Sequence, residues 1–178
     1  MINKRRLTVK DIVYVGVLAA MCAMATSLKI PFGVGAMVHL GTAFLFTVGI
    51  CFGGVYAGLA GAIGSAFYDL LMGFSPYTVW SFVIKGTAGL LVGLIAKGLW
   101  PAPIACNAGN TWVWRALLGC VVAAAWTLGG YIVAWWQITG SLATAFANIP
   151  SSLMTSGVGL VGAMILSPKL RKNVNRLT

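Results

Sequence analysis

With 178 residues, 60% of them hydrophobic and 8% charged, the chain lies far outside the composition of a soluble globular domain and reads as one integral membrane domain. At about 20 residues per spanning helix, that length holds six spans and leaves no room for a soluble catalytic domain. The formal charge of +10 does not argue for nucleic acid, because the basic residues cluster at the ends of apolar segments, the pattern that orients helices against anionic cytoplasmic lipid.

The N-terminal MINKRRLTVKD followed by an apolar run has the look of a signal peptide. The run extends from Ile12 to Leu28, however, long enough to span, and reads as a retained first helix over residues 11–28. Thr8 or Asp11 can cap its first turn. Gly16 with Ala20 and Ala19 with Ala23 form two overlapping pairs of small residues that permit close helix crossing in lipid. Lys29 to Val38, with Pro31, Gly33 and Gly35, reads as an outer loop.

A short second helix over 39–52 ends at Gly53-Gly54, a tight turn without charge. A third, over 55–72, sets Ala57, Gly61, Ser65 and Asp69 at successive i+4 positions on one face. Gly73-Phe74-Ser75-Pro76 makes the next turn, and Ser75 before Pro76 suits the start of a fourth helix over 76–97. That helix carries Tyr77, Ser81 and Lys85 within about 80° of one another, while Trp80 is turned about 140° from Lys85. The linker LWPAPIACNAGNTW reads as a loop near the inner surface. Helix five covers 114–137, and its tryptophans, Trp126, Trp135 and Trp136 among them, read mainly as interfacial anchors. ITGSLATAFANI is an outer loop or a short surface helix, and a sixth helix over 150–167 precedes a basic tail.

The charges orient this array. With both termini cytoplasmic, Lys4, Arg5, Arg6, Lys10, Lys97, Arg115, Lys169, Arg171, Lys172 and Arg176 all fall inside and Lys29 alone falls outside. The expected fold is therefore an all-α, six-helix, multi-pass membrane protein.

Catalysis has little to work with. Hydrolases need a nucleophile with a base, a carboxylate pair or a metal cluster, and this chain holds one His, two acids and scattered cysteines, Cys22, Cys51, Cys106 and Cys120, without metal-ligand spacing. No cofactor or metal is expected, and nothing resembles a Gly-rich ATP-binding loop. A binding site fits better, because ionisable groups at bilayer depth usually face a cavity. His39, Asp69, Tyr77, Trp80 and Lys85 converge on the outer half of the bundle, and Ser152 and Thr155 join them from helix six, with Asn148 just outside it. They offer an acceptor, donors and stacking surfaces for a small polar ring compound. Asp69 and Lys85 could instead form a structural ion pair, or the proton relay of a small channel or proton-coupled carrier.

VHLGTAFLFTVGICFGGVYAGLAGAIGSAFYDLL followed by SPYTVWSFVIKGTAGLLVGLIA resembles the substrate-binding S components of energy-coupling factor (ECF) vitamin transporters, nearest the pyridoxine and hydroxymethylpyrimidine subgroup. The resemblance covers essentially the whole chain. It implies high-affinity capture of a vitamin or precursor and its translocation together with a transmembrane scaffold subunit and two ATPase subunits. It also implies a ligand contact at Thr42, where relatives often carry an acidic or amide residue, and scaffold contacts at Ala19 and Ala23.

Overall fold

The computed structural model describes residues 7–32, 36–73, 75–100 and 111–174, with side chains of 31–37, 75 and 171–174 left aside. Its elements in order are α1 (Val9–Ser27), β1 (Lys29–Phe32), β2 (Ala36–His39), α2 (Gly41–Phe52), α3 (Gly54–Leu71), α4 (Ser75–Ala96), α5 (Thr111–Thr139), α6 (Leu142–Ala147) and α7 (Ile149–Val174). Lys4, Arg5, Arg6, Gly33, Gly35, Phe74, Cys106, most of the Pro-rich linker and Arg176 lie outside the described residues.

Five helical segments have the length and apolarity to cross a membrane. α2 does not: its 12 residues cover about 18 Å, against a hydrocarbon core of about 30 Å. The fold is also not purely helical. Lys29–Phe32 and Ala36–Val38, read as parts of a loop, and His39, read as the start of the second helix, lie on two antiparallel strands of a hairpin in which Lys29 faces His39 and Ile30 faces Val38. The segment before the last span holds the short helix α6, capped by the Ser141 side chain. α7 runs on through Pro168, past the expected stop at Ser167, although an interior proline removes one backbone donor and crowds the carbonyl four residues before it.

The end of the bundle away from the hairpin is tied by polar contacts. Thr8 and Asp11 form a capping box at the start of α1, and the Tyr56 hydroxyl donates to Asp11 from the first turn of α3. Thr8 is thus the cap, and Asp11 is the buried acceptor that joins two helices. At the α2–α3 turn, Gly53 has φ +93°, open to glycine at little cost, and the amides of Gly54 and Val55 bond to the Gly98 and Leu99 carbonyls after α4. Lys97 donates to the Cys51 carbonyl, and Arg115 donates to Ile95 at 3.0 Å. Lys10, Lys97, Arg115 and Lys169 therefore gather at this end, whereas Lys29 sits on the hairpin.

α3 and α4 pack most closely. A Cβ on Gly93 would lie 2.2 Å from the Gly54 nitrogen, and one on Gly89 would lie 2.5 Å from the Ala57 carbonyl, so glycines let the two backbones meet. α1 joins them through its other small-residue pair. Ala19 and Ala23 are buried, and a Cβ on Gly64 would lie 2.5 Å from the Ala19 carbonyl. In this conformation the pair packs inside the chain. Gly16 has open space around it, and Ala20 is exposed.

Candidate functional site

Between the packed end and the hairpin the helices diverge around a cavity of about 330 Å³. Of the expected site residues, His39, Thr42, Asp69, Tyr77, Lys85, Asn148, Ser152 and Thr155 all line it. Trp80 does not, because the helical turn that brings Tyr77, Ser81 and Lys85 inward carries it to another face.

Lys85 is the best-defined group. It is 6% exposed, donates from Nζ to Thr42 Oγ1 at 3.0 Å, and lies 5.5 Å from the centroid of the Tyr131 ring, within cation–π range. An ammonium has three donors, so the single bond to Thr42 leaves two for the cavity. Asp69 is offset from it along the bundle. A Cβ on Gly61 would lie 2.9 Å from the Lys85 carbonyl, which sets Lys85 level with Gly61. Asp69, eight residues further along α3, is about 12 Å nearer the hairpin end. Side chains on helices lean toward the N-terminus, so on these antiparallel helices Lys85 leans toward the hairpin and Asp69 leans away from it. They approach the same space from opposite ends.

No ion pair within 4 Å joins them among the described residues, and Asp69 Oδ2 is buried without a hydrogen-bond partner. The Ser81 hydroxyl neighbours the Asp69 carboxyl and lies 3.4 Å from the Tyr131 hydroxyl. His39, on β2, presents a second buried atom without a partner, Nδ1. Burial, with Lys85 and Lys29 nearby, pushes its imidazole down to about 3, so it is neutral. Native proteins leave few buried polar atoms unpaired, and here two face one cavity.

The aromatic surfaces come largely from a helix that sequence reasoning did not credit. Thr127, Tyr131 and Trp135 fall at i+4 steps on α5 and all line the cavity. Tyr77 and Trp135 pack with ring centroids 5.0 Å apart at 54°. The signal was present: exposed Trp126 and Trp136 flank that stripe on other faces. Cys22 lines the cavity too, and Tyr68 stands under Lys29, whose Nζ is 5.4 Å from its ring centroid. Thr42 is held from behind by α7, where a Cβ on Gly159 would lie 2.9 Å from its Cγ2. No cluster of His, Cys, Asp or Glu able to hold a metal occurs among the described residues.

Apolar helices closed at one end, with polar and aromatic side chains around a cavity toward the other, define a multi-pass membrane protein with an internal cavity. The sequence comparisons narrow that class. Residues 6–172 match the profile of the family described as "ECF-type riboflavin transporter, S component", and the chain belongs to that family. The match supports an ECF S component without singling out the pyridoxine and hydroxymethylpyrimidine subgroup. Similar proteins include an uncharacterized protein in the gap 3′ region of Pyrococcus woesei, 32% identical over 61% of this chain and 65% of its own length. A UPF0397 protein of Exiguobacterium is 37% identical over 51% of this chain and 50% of its own. One from Streptococcus pneumoniae is 33% identical over 52% and 50%. The chain thus spans only half to two thirds of the length of these relatives.

Proposed function

We propose that the chain is the S component of an ECF transporter: it binds a small heteroaromatic vitamin or vitamin precursor and carries it across the bacterial cell membrane together with a scaffold subunit and two ATPase subunits. Family membership supports the transporter role. The observation that carries the ligand reading is the cavity itself, where unpaired Asp69 Oδ2 and His39 Nδ1 and a Lys85 ammonium with free donors stand among aromatic rings. At about 330 Å³ it lies at the small end of ligand sites, which run from about 300 to 1,000 Å³. That size favours a one-ring compound of the pyridoxine, pyridoxamine or hydroxymethylpyrimidine type over a larger vitamin. The gathering of basic residues at the closed end supports a cytoplasmic placement of that end, with the hairpin and cavity mouth outside.

A ligand that binds only the folded state raises its melting temperature by mass action. Purified protein in detergent, melted against a vitamin panel that includes pyridoxine, pyridoxamine, hydroxymethylpyrimidine and riboflavin, is expected to respond to a heteroaromatic member. A response confined to bulky lipids or inorganic ions would sink the proposal.

A further inference from the structure

The cavity holds a carboxyl and an ammonium group that approach it from opposite ends and do not pair. Had they served only to neutralise each other, a contact ion pair would be the low-energy arrangement, because separated charges away from water lose both hydration and attraction. The ammonium instead spends one donor on Thr42 and rests beside the Tyr131 ring, and Asp69 Oδ2 is left without a partner. The two groups ask for opposite things. Lys85 can only donate, and Asp69 Oδ2 is an open acceptor.

We propose that the occupant is a dipolar single-ring heteroaromatic. One edge, a ring nitrogen or an oxygen substituent, accepts hydrogen bonds from Lys85. The opposite edge carries an amino or ring N–H group that donates to Asp69. The proposal rests on the reading above that the chain binds a small vitamin-type molecule, and it adds the polarity and orientation of that molecule. Both groups line one cavity of about 330 Å³, at the lower end of the range for ligand sites, a size that suits one ring and its substituents. Tyr131 beside Lys85, and the Tyr77–Trp135 pair 5.0 Å apart, supply apolar walls for such a ring. A ring that presents only acceptors toward Asp69 would leave lone pairs facing lone pairs, and a phosphorylated ring would bring negative charge there.

The test uses isosteric amino and methyl analogues, which differ in donors but hardly in size: 4-amino-5-hydroxymethyl-2-methylpyrimidine with its 4-methyl counterpart, and pyridoxamine with its 4-ethyl counterpart. Calorimetry on the purified chain is expected to show the amino member of a pair binding about 10- to 100-fold more tightly, the range for a hydrogen bond to a charged group. Asp69→Asn should shrink that ratio. Lys85→Met should weaken both members in proportion and leave the ratio unchanged. Equal binding of the two members by the unmodified protein overturns the proposal, and so does a ratio that Asp69→Asn leaves untouched. The unmodified protein's ratio decides the matter even where a variant fails to fold. Saturable riboflavin binding with no response to either pair overturns the dipolar-ring assignment and leaves the uptake function standing. Silence across the entire vitamin panel overturns both.

Discussion

The Lys85 ammonium donates to the Thr42 hydroxyl across 3.0 Å, tying the middle of α4 to the first turn of α2 at the wall of the cavity. Both residues are buried, so Thr42 fixes where the cavity's deepest charge points. Thr42→Val keeps the shape and removes the acceptor, leaving a buried donor less satisfied at about 1–3 kcal/mol. The expected outcome is a lower melting temperature for the unliganded protein. Much of the loss should be regained on saturation with ligand, which offers Lys85 another acceptor. Equal loss with and without ligand would make Thr42 a purely structural neighbour.

Thr42 is itself held by the absence of a side chain on α7. A Cβ on Gly159 would lie 2.9 Å from Thr42 Cγ2 and 3.3 Å from the Ala43 nitrogen, so Gly159→Ala must push α7 away from α2 or turn Thr42 off its bond with Lys85. Overpacking of this kind costs about 1–3 kcal/mol. Gly157, two residues earlier, has nothing within 4 Å of its built Cβ; there the change to alanine should stabilise the helix by about 0.5–1 kcal/mol. Thermal melts of the two variants should move in opposite directions. Ligand affinity should fall only for Gly159→Ala.

Some of this arrangement was legible in the residue pattern. The i+4 series Ala57, Gly61, Ser65 and Asp69 announced one face of α3, and that face is buried from Ala57, 0% exposed, to Ser65, 6% exposed. The glycine pair after Phe52 announced a turn, and the structure shows Gly53 at a φ that few other residues adopt. The hairpin was hidden because Pro31 and neighbouring glycines outweigh four-residue strands in any local reading. The cavity face of α5 was hidden for another reason: between Arg115 and Gln137 the helix carries no charged residue, so composition does not distinguish Trp135, which lines the cavity, from Trp136, which faces outward. Only the spacing of Thr127, Tyr131 and Trp135 separates them, and the interfacial habit of tryptophan masked it. Ala19 and Ala23 illustrate a limit of motif reasoning, since small-residue spacing says that a close contact exists without saying with what.

The two tryptophans placed differently by sequence and structure make a direct comparison. Trp135 lines the cavity and packs on Tyr77, so Trp135→Ala removes a wall and its ring contact. Aromatic pairing is worth about 0.5–1.5 kcal/mol beyond burial, and ligand affinity should fall at least severalfold. Trp80→Ala leaves the cavity untouched and should leave affinity unchanged, whatever it does to stability in the bilayer. Titrations of the two variants with the same ligand check this, and a larger loss for Trp80 would mean that α4 is rotated from the geometry described here.

His39 yields a pH dependence that belongs to the hairpin. Its imidazole is pushed from an ordinary value near 6.5 down to about 3, by burial first and then by the charges of Lys85 and Lys29. Between those values the unfolded chain binds a proton that the folded chain refuses. Stability therefore rises with pH through this window and falls as the medium is acidified below about 6.5. Melting temperature measured from pH 7.5 to 4.5 should thus decline for the unmodified protein, and a His39→Gln variant, which carries no ionisable group there, should decline less. The two curves should converge toward pH 7.5, where both side chains are neutral. Parallel curves across the whole range would show that the acid sensitivity arises elsewhere and that His39 is free to take up a proton in the folded state.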